Sequence, residues 1–263
     1  MVLALDVGNT NIVIGYLESE TSIAFVERLS TDLKKTATEY AISFKNVLEI
    51  YQLPLARLDG VIISSVVPPL TNRIQEAIFK ITGLHPLVVG PGVKNGLHIK
   101  MDNPAQLGSD LVVDAVAANA AYEAPLIIID MGTATTISVI DREKNYIGGM
   151  IIPGINTSLE ALASRAAQLS KISLEAPKRL IGKNTIECMK SGIIHGNAAC
   201  LDGMIERIEA ELGCSATVVA TGGLASLIVP HCTHSIVVDD ALLLKGLYLI
   251  YQKNKEERPR GQR

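Results

Sequence analysis

Two aspartates stand at matching places in this chain. Asp6 closes the apolar run Leu3–Leu5, and Asp130 closes Leu126–Ile129. Each is followed two residues later by a glycine, Gly8 or Gly132, and then by small polar residues. This is chemistry for a nucleoside triphosphate. A carboxylate at a strand end can hold a cation against phosphate charge, and a glycine lets backbone N–H groups close in on phosphate oxygens. A third glycine-rich turn, Thr221-Gly222-Gly223, follows a late apolar run, where an adenine or ribose can lie against bare backbone. One Asp-x-Gly turn alone is equally an Asx-type hairpin bend. Two copies plus the late glycine pair favour phosphate binding. The chain has no GxxxxGK[ST] and no lysine strand with an HRD loop, so those two phosphate-binding routes are closed.

A third acidic position, Asp110, lies in NPAQLGSD at 103–110 inside an otherwise apolar helical pattern. A solvated helix face is the default for an arbitrary Asp. Here Gly108 and Asn103-Pro104 signal a special approach of the backbone, which favours a substrate contact. Asp114, one turn on, reads as structural. His231, Cys232 and His234 lie close together but lack a distant partner set for a metal, and read as a surface turn entering a strand.

The elements that must position these residues follow from apolar spacing. Short strands are expected at 3–5, 12–17 and 23–29. A helix is expected over Thr36–Tyr51, then a buried strand at 61–67 stopped by Pro68-Pro69. A helix at 72–82, a strand at 87–89, a loop-rich stretch at 90–103 and a helix at 105–121 complete the first half. Then LIIIDMGTATTISVID at 126–141 repeats the pattern of LALDVGNTNIVIGYL at 3–17. Two copies of strand, acidic turn and strand, half a chain apart, suggest a duplicated fold. A β-rich run at 146–154 follows. Helices are expected at 157–167 and at 185–212, the latter interrupted by Gly192, Gly196 and Gly203. Strands at 216–220 and 235–238 and a helix at 240–252 close the chain.

The chain has 263 residues, 48% hydrophobic and 19% charged, with no Trp and three Phe, so aliphatic side chains must fill its cores. A net charge of -3 gives no general attraction to nucleic acid. The start, MVLALDVGNT, has no basic leader, and no apolar run reaches the roughly 18 residues that a membrane helix needs. The four cysteines form no CxxC pair and read as reduced thiols. A cytoplasmic protein without nucleic-acid or membrane partners is expected, with a frayed tail at 253–263.

Ordered motifs run through nearly the whole chain: DVGNT at 6–10, SSVVP at 64–68, NPxxxGxD at 103–110, DMGTATT at 130–136, GGMIIPG at 148–154, GKNT at 182–185, SGIIHG at 191–196, TGG at 221–223 and LLLKGLYLIYQKN at 242–254. Together they resemble type III pantothenate kinase, of the acetate and sugar kinase, heat-shock and actin superfamily. The resemblance implies an α/β fold of two related actin-like (ribonuclease H-like) domains, each a mixed sheet flanked by helices, here at 1–120 and 121–263. It implies ATP-dependent phosphorylation of pantothenate to 4′-phosphopantothenate, the first step of coenzyme A biosynthesis, by a homodimer whose partner subunit completes the pantothenate pocket.

Carried over, Asp6, Val7, Gly8, Asn9, Thr10, Asn11, Ile12 and Val13 form the first phosphate loop, with Asp6 near Mg²⁺. Gly132 and Thr133 contact ATP, and Thr221, Gly222 and Gly223 lie on its adenosine side. Asp130 helps hold a monovalent cation, K⁺ or NH₄⁺. Asp110 accepts the proton of the substrate hydroxyl. Met101, Gly108, Ser109, Asp110, Leu111 and Thr185 line the pantothenate pocket. The family pattern has Arg where this chain has Leu111, and usually Tyr where it has Met101. A substrate carboxylate must then find another cation, and Lys100 and Arg165 are the candidates. Two rival readings go with these departures: a non-catalytic nucleotide-binding regulator, and a kinase for another small alcohol.

Overall fold

In the computed structural model, residues 1–166 and 172–255 are described. In chain order they form β1 (Val2–Val7), β2 (Asn11–Leu17), β3 (Ile23–Ser30), α1 (Ala37–Ile50), β4 (Gly60–Ser65), α2 (Pro68–Thr82), β5 (Leu87–Val88), β6 (His98–Ile99) and α3 (Ser109–Ala121). Then come β7 (Leu126–Met131), β8 (Ala134–Ile140), β9 (Asn145–Pro153), α4 (Ile155–Arg165), α5 (Thr185–Leu212), β10 (Thr217–Thr221), α6 (Ala225–Ile228), β11 (Val237–Val238) and α7 (Leu242–Lys255).

The chain divides into two compact units. The first holds Met1–Leu97, Asn103–Ala117 and, among the described residues, 242–255; the second holds His98–Asp102 and Ala118–Ala241. The expected cut at 120/121 therefore misses the return of α7 to the first unit. The sequence signal was present, because α7 carries an apolar face (Leu244, Leu247, Ile250) that must be covered. Residues 253–255, expected to fray, are the last turn of this helix, and 256–263 lie outside the described residues.

The sheet of the first unit runs β3-β2-β1-β4-β5. β1 pairs antiparallel with β2 and parallel with β4. Strand alternation sends successive side chains to opposite faces. Leu3, Leu5 and Val7 join a core with Tyr40 and Phe44 of α1 and Leu70, Ile74 and Ile78 of α2. Val2 and Ala4 join the opposite core, with Ile62 of β4, Val113 of α3 and Leu244, Leu247 and Ile250 of α7. Each such fully buried aliphatic side chain stabilises the fold by roughly 1.5–3 kcal/mol relative to exposure. The same alternation puts Asp6 at the end of the Val2–Ala4 face, the face that α3 covers.

The second unit repeats this order as β11-β10-β7-β8-β9, with β6 added beside β9. β7 pairs antiparallel with β8 and parallel with β10. Ile127, Ile129 and Met131 pack against Ile194, Leu201 and Ile205 of α5. The duplication read from the sequence is thus a duplication of strand order and pairing.

Several elements differ from the expectations, among them β6 in the stretch expected to be loop and the unexpected α6, and three of the differences have a clear local cause. α2 starts at Pro68, not at 72, because Pro at the first helical positions lacks an N–H that would be unsatisfied there anyway. The pair that stops the strand also starts the helix. Residues 104–106 form a separate 3-10 turn, so α3 starts only at Ser109. α5 is one unbroken helix of 28 residues, capped by the Asn184 side chain and ended by Gly213 at φ 68. Its internal glycines do not break it, since a glycine costs a helix only about 1 kcal/mol. Residue 167, the expected end of the helix before it, lies outside the described residues.

Candidate functional site

In the first unit, β1 ends in Asp6 and Val7, and a tight turn follows in which the Gly8 amide donates to the Asn11 carbonyl at 3.0 Å. Asn9, Thr10 and Asn11 are exposed, whereas Val7 and Ile12 are fully buried. Of the expected phosphate loop, the tip from Gly8 to Asn11 presents polar groups outward. Val7 and Ile12 anchor it through the core, and Val13 packs at the edge of the opposite core. Thr31 holds the loop from behind. Its amide donates to the Thr10 carbonyl at 2.9 Å and its hydroxyl to the Gly8 carbonyl at 2.6 Å. Sequence reading missed Thr31; its place at the end of an alternating strand was the available signal.

Asp6 and Ser64 are register partners on β1 and β4. Ser64 is completely buried, and its hydroxyl lies 3.1 Å from that of Ser109 in the first turn of α3. Asp110 follows directly. Its carboxylate accepts from the Leu111 amide at 2.9 Å. Burial raises its pKa above the ordinary 3.8, and hydrogen bonds from the Leu111 amide and from its own amide only partly oppose the shift. Gly108 makes this pose possible, since a Cβ there would run into the Asp110 carboxylate. Asp6, Ser64, Ser109 and Asp110 are therefore linked by register, hydrogen bond and sequence at one end of one sheet face. Leu111 is half-buried and offers no donor from its side chain.

In the second unit, Asp130 ends β7 as Asp6 ends β1, and the Gly132 amide donates to the Ala134 carbonyl at 3.0 Å. This turn is one residue shorter than the first. Gly132 and Thr133 are exposed. Thr157, in the first turn of α4, donates its hydroxyl to the Thr133 carbonyl at 2.9 Å and fixes the turn to the helix. Thr221, on β10, is the register partner of Asp130. Gly222 follows at φ 91, against Asp130: a Cβ at 222 would lie 2.5 Å from an Asp130 carboxylate oxygen. Only glycine fits there on both counts. Gly223 is exposed beside it.

Met101 is half-buried and Thr185 is exposed at the start of α5; both belong to the second unit, whereas Gly108–Leu111 belong to the first. Lys100 is bound to Asp141 at 3.1 Å. Burial would raise the Asp141 pKa, but hydrogen bonds from Asn145 and Lys100 hold it at about 2. Lys100 is thereby engaged within its own unit. Arg165 is exposed at the last turn of α4. The His231–His234 turn is organised by Asp202 of α5, whose carboxylate accepts from the amides of Thr233 and His234 and pairs with the His234 ring at 2.8 Å. No cluster of three metal ligands occurs among the described residues.

The family model for type III pantothenate kinase matches residues 2–207 of this chain. A type III pantothenate kinase of Exiguobacterium sp. is 46% identical over 256 residues, covering 97% of this chain and 100% of its own. One from Halalkalibacterium halodurans is 44% identical, with 97% and 100% covered. Among solved structures, a ROK hexokinase from Thermus thermophilus aligns with a TM-score of 0.52 at 13% identity, covering 97% of this chain and 99% of its own. The activator of the 2-hydroxyisocaproyl-CoA dehydratase from Clostridium difficile, with bound ADPNP, aligns at 0.57 with 14% identity and 98% of each chain covered. The two solved structures share the fold of this chain, and the two relatives are 44–46% identical to it over 97% of its length. The chain belongs to the type III pantothenate kinase family.

Proposed function

We propose that this protein transfers the γ-phosphoryl group of ATP to the primary hydroxyl of pantothenate, giving ADP and 4′-phosphopantothenate, the first step of coenzyme A biosynthesis. Membership of the family supports this reading. The observation that carries it is the half-buried Asp110, joined through Ser109 and Ser64 to the strand that ends in Asp6.

Phosphoryl transfer asks a protein mainly for positioning and charge neutralisation. The Gly8–Asn11 turn and the Gly132–Thr133 turn bind phosphate oxygens, and Gly222-Gly223 meets the adenosine. The hydroxyl oxygen of pantothenate bonds to the γ-phosphorus. The bond from that phosphorus to the β,γ-bridging oxygen breaks, and ADP leaves with its electron pair. The hydroxyl proton passes to a carboxylate oxygen of Asp110, whose raised pKa makes it a stronger base than a surface aspartate. Asp6 supplies a hard carboxylate oxygen beside the first loop, a donor that suits Mg²⁺, and Mg²⁺ when bound offsets charge on the β- and γ-phosphates. Asp130, with Gly222 backbone packed against it, suits K⁺ or NH₄⁺.

The functional unit is a homodimer in our reading. In the second unit Ile151 (74%) and Ile181 (80%) are large apolar side chains left open to a partner. The enzyme acts in the cytoplasm, where ATP is available; no described helix is long and apolar enough to cross a membrane. Leu111 and Met101 sustain one second reading, a kinase for another small alcohol. ADP release with Mg²⁺ and K⁺, measured against a panel of alcohols that includes pantothenate, decides between them. Turnover of another alcohol in preference to pantothenate would select the second reading, and no substrate-dependent ADP from folded dimer would leave a regulator.

A further inference from the structure

Between the start of α1 and the side of α2, within the first unit, lies an open cleft of about 470 Å³. Lys34, Lys35, Arg73 and Lys80 line it, with Glu76 as the one acidic side chain in the lining. Lys80 pairs with Glu76 at 2.7 Å, so Lys34, Lys35 and Arg73 carry the local positive excess, in a chain of net charge -3. The α1 terminus itself is already occupied by its own capping box, in which the Glu39 carboxylate accepts from the Thr36 amide. The positive field of the cleft therefore comes from the side chains.

The segment that carries Lys34 and Lys35 is held on three sides. Arg73 donates to the carbonyls of Leu33 at 2.8 Å and Lys35 at 3.3 Å. Tyr40 exchanges hydrogen bonds with the Asp32 backbone at 2.9 Å. Thr31, at the head of the segment, makes the two bonds that anchor the Gly8–Thr10 turn. One short piece of chain thus forms a wall of the basic cleft and the back of the first phosphate loop.

We propose that this cleft binds a small phosphate-bearing anion, separate from the ATP site, and that its occupancy shifts the affinity of the first phosphate loop for nucleotide through Thr31. The cleft has the size of a small-ligand site. Clustered lysines with an arginine recognise phosphate oxygens by charge-assisted hydrogen bonds. Arg73 links such a ligand to the segment, because a guanidinium that turned toward a phosphate would release the carbonyls of Leu33 and Lys35.

The test uses the full chain and needs no turnover, so it stands or falls apart from the kinase reading. Inorganic pyrophosphate, and in a second arm ADP, is titrated into wild-type protein saturated with the ATP analogue AMP-PNP, and into the Lys34→Glu/Lys35→Glu variant treated alike. The wild type is expected to bind, and the variant to bind about tenfold or more weakly. Raised salt weakens the interaction further. Tighter ADP than pyrophosphate makes the ligand a nucleotide; the reverse makes it an inorganic or simple ester phosphate. AMP-PNP titrations with and without pyrophosphate are expected to differ between wild type and variant by about fivefold or more. Lys34→Ala alone, at an exposed position, gives a smaller loss in the same direction and guards against misfolding of the double variant. The proposal is overturned if wild type binds neither anion, if the variants bind as well as wild type, or if pyrophosphate alters AMP-PNP affinity equally in both.

Discussion

Ser64 and Ser109 meet hydroxyl to hydroxyl at 3.1 Å, and this bond fastens the first turn of α3 to the strand beside Asp6. Ser109→Ala would leave the fully buried Ser64 hydroxyl without that partner, at a cost of about 1–3 kcal/mol. It would also free the turn that aims Asp110. We expect a lower melting temperature and a kcat down by about tenfold, since small misplacements of a catalytic group are expensive. KM for ATP stays near its wild-type value. An unchanged kcat would show that Asp110 is aimed by other contacts.

Asp110→Asn removes the base while keeping the shape. A fall in kcat of about 10²–10⁴-fold is expected, with ATP binding retained. The wild-type rate should fall on the acid side along a limb lying above pH 3.8, because burial raises this pKa. The stability sign is the reverse of a paired carboxylate. Above its folded-state pKa the buried charge is a burden to the native state, and the burden vanishes as pH falls through that pKa toward 3.8. Asp110→Asn should therefore be at least as stable as wild type at pH 7, and melts at successively lower pH should show that margin shrinking.

Gly222→Ala puts a Cβ against the Asp130 carboxylate and forces an L residue to φ 91. A destabilisation of about 1–3 kcal/mol is expected. In our reading the wild type runs faster in K⁺ than in Na⁺ at matched ionic strength, and this substitution levels the two. Equal wild-type rates in both salts would remove the monovalent cation from Asp130.

Leu111→Arg supplies the planar fork of donors that suits a carboxylate. We expect KM for pantothenate to fall about 10–150-fold with kcat largely kept, the equivalent of one charge-assisted contact. Lys100→Ala should change KM little, because that ammonium is already spent on Asp141. A wild-type KM that Leu111→Arg does not lower would mean that the carboxylate is held by a different cation, with Arg165 next in line.

Asp202 organises the turn after α6. Burial would raise its pKa, yet the amides of Thr233 and His234 and the His234 ring hold it at about 2. This contribution, about 2 kcal/mol from the shift below 3.8, is fully present above pH 3.8 and is lost as pH falls through about 2. Asp202→Ala should be destabilised by about 2–3 kcal/mol in melts from pH 7 down to 4, with the gap to wild type narrowing only below that.

Much of this was legible in the chain. The repeated strand–acidic turn–strand pattern predicted two equivalent sheets, because a period of two with an Asp at the break leaves few other arrangements. The pairing of Asp6 with Ser64 and of Asp130 with Thr221 was not legible, since parallel register joins residues far apart and carries no local mark. Gly108 marked a special local pose, as a carboxylate folding back on the backbone needs a position without Cβ. Thr31 was hidden because its bonds are to backbone carbonyls, which any sequence supplies. Pro68 misled by its double meaning, ending one element and opening the next. The Lys100–Asp141 pair could not be foreseen from proximity along the chain, because its partner is on the far side of a strand pairing.

The first unit is assembled from three separate stretches, and its last helix is made last. Val2, Ala4 and Ile62 wait for Leu244, Leu247 and Ile250 to cover them. At roughly 5–20 residues per second, the ribosome needs about 7–30 seconds to make the chain between the end of the first stretch and the start of α7. Within that time all of the second unit is synthesised. The order of birth is therefore inverted: the later-encoded unit can mature first, while the sheet that opens the sequence stays half-dressed until the end. A nascent-chain arrest just before α7 would trap a finished second unit beside a first unit with a sticky face, the state in which a chaperone has most to hold.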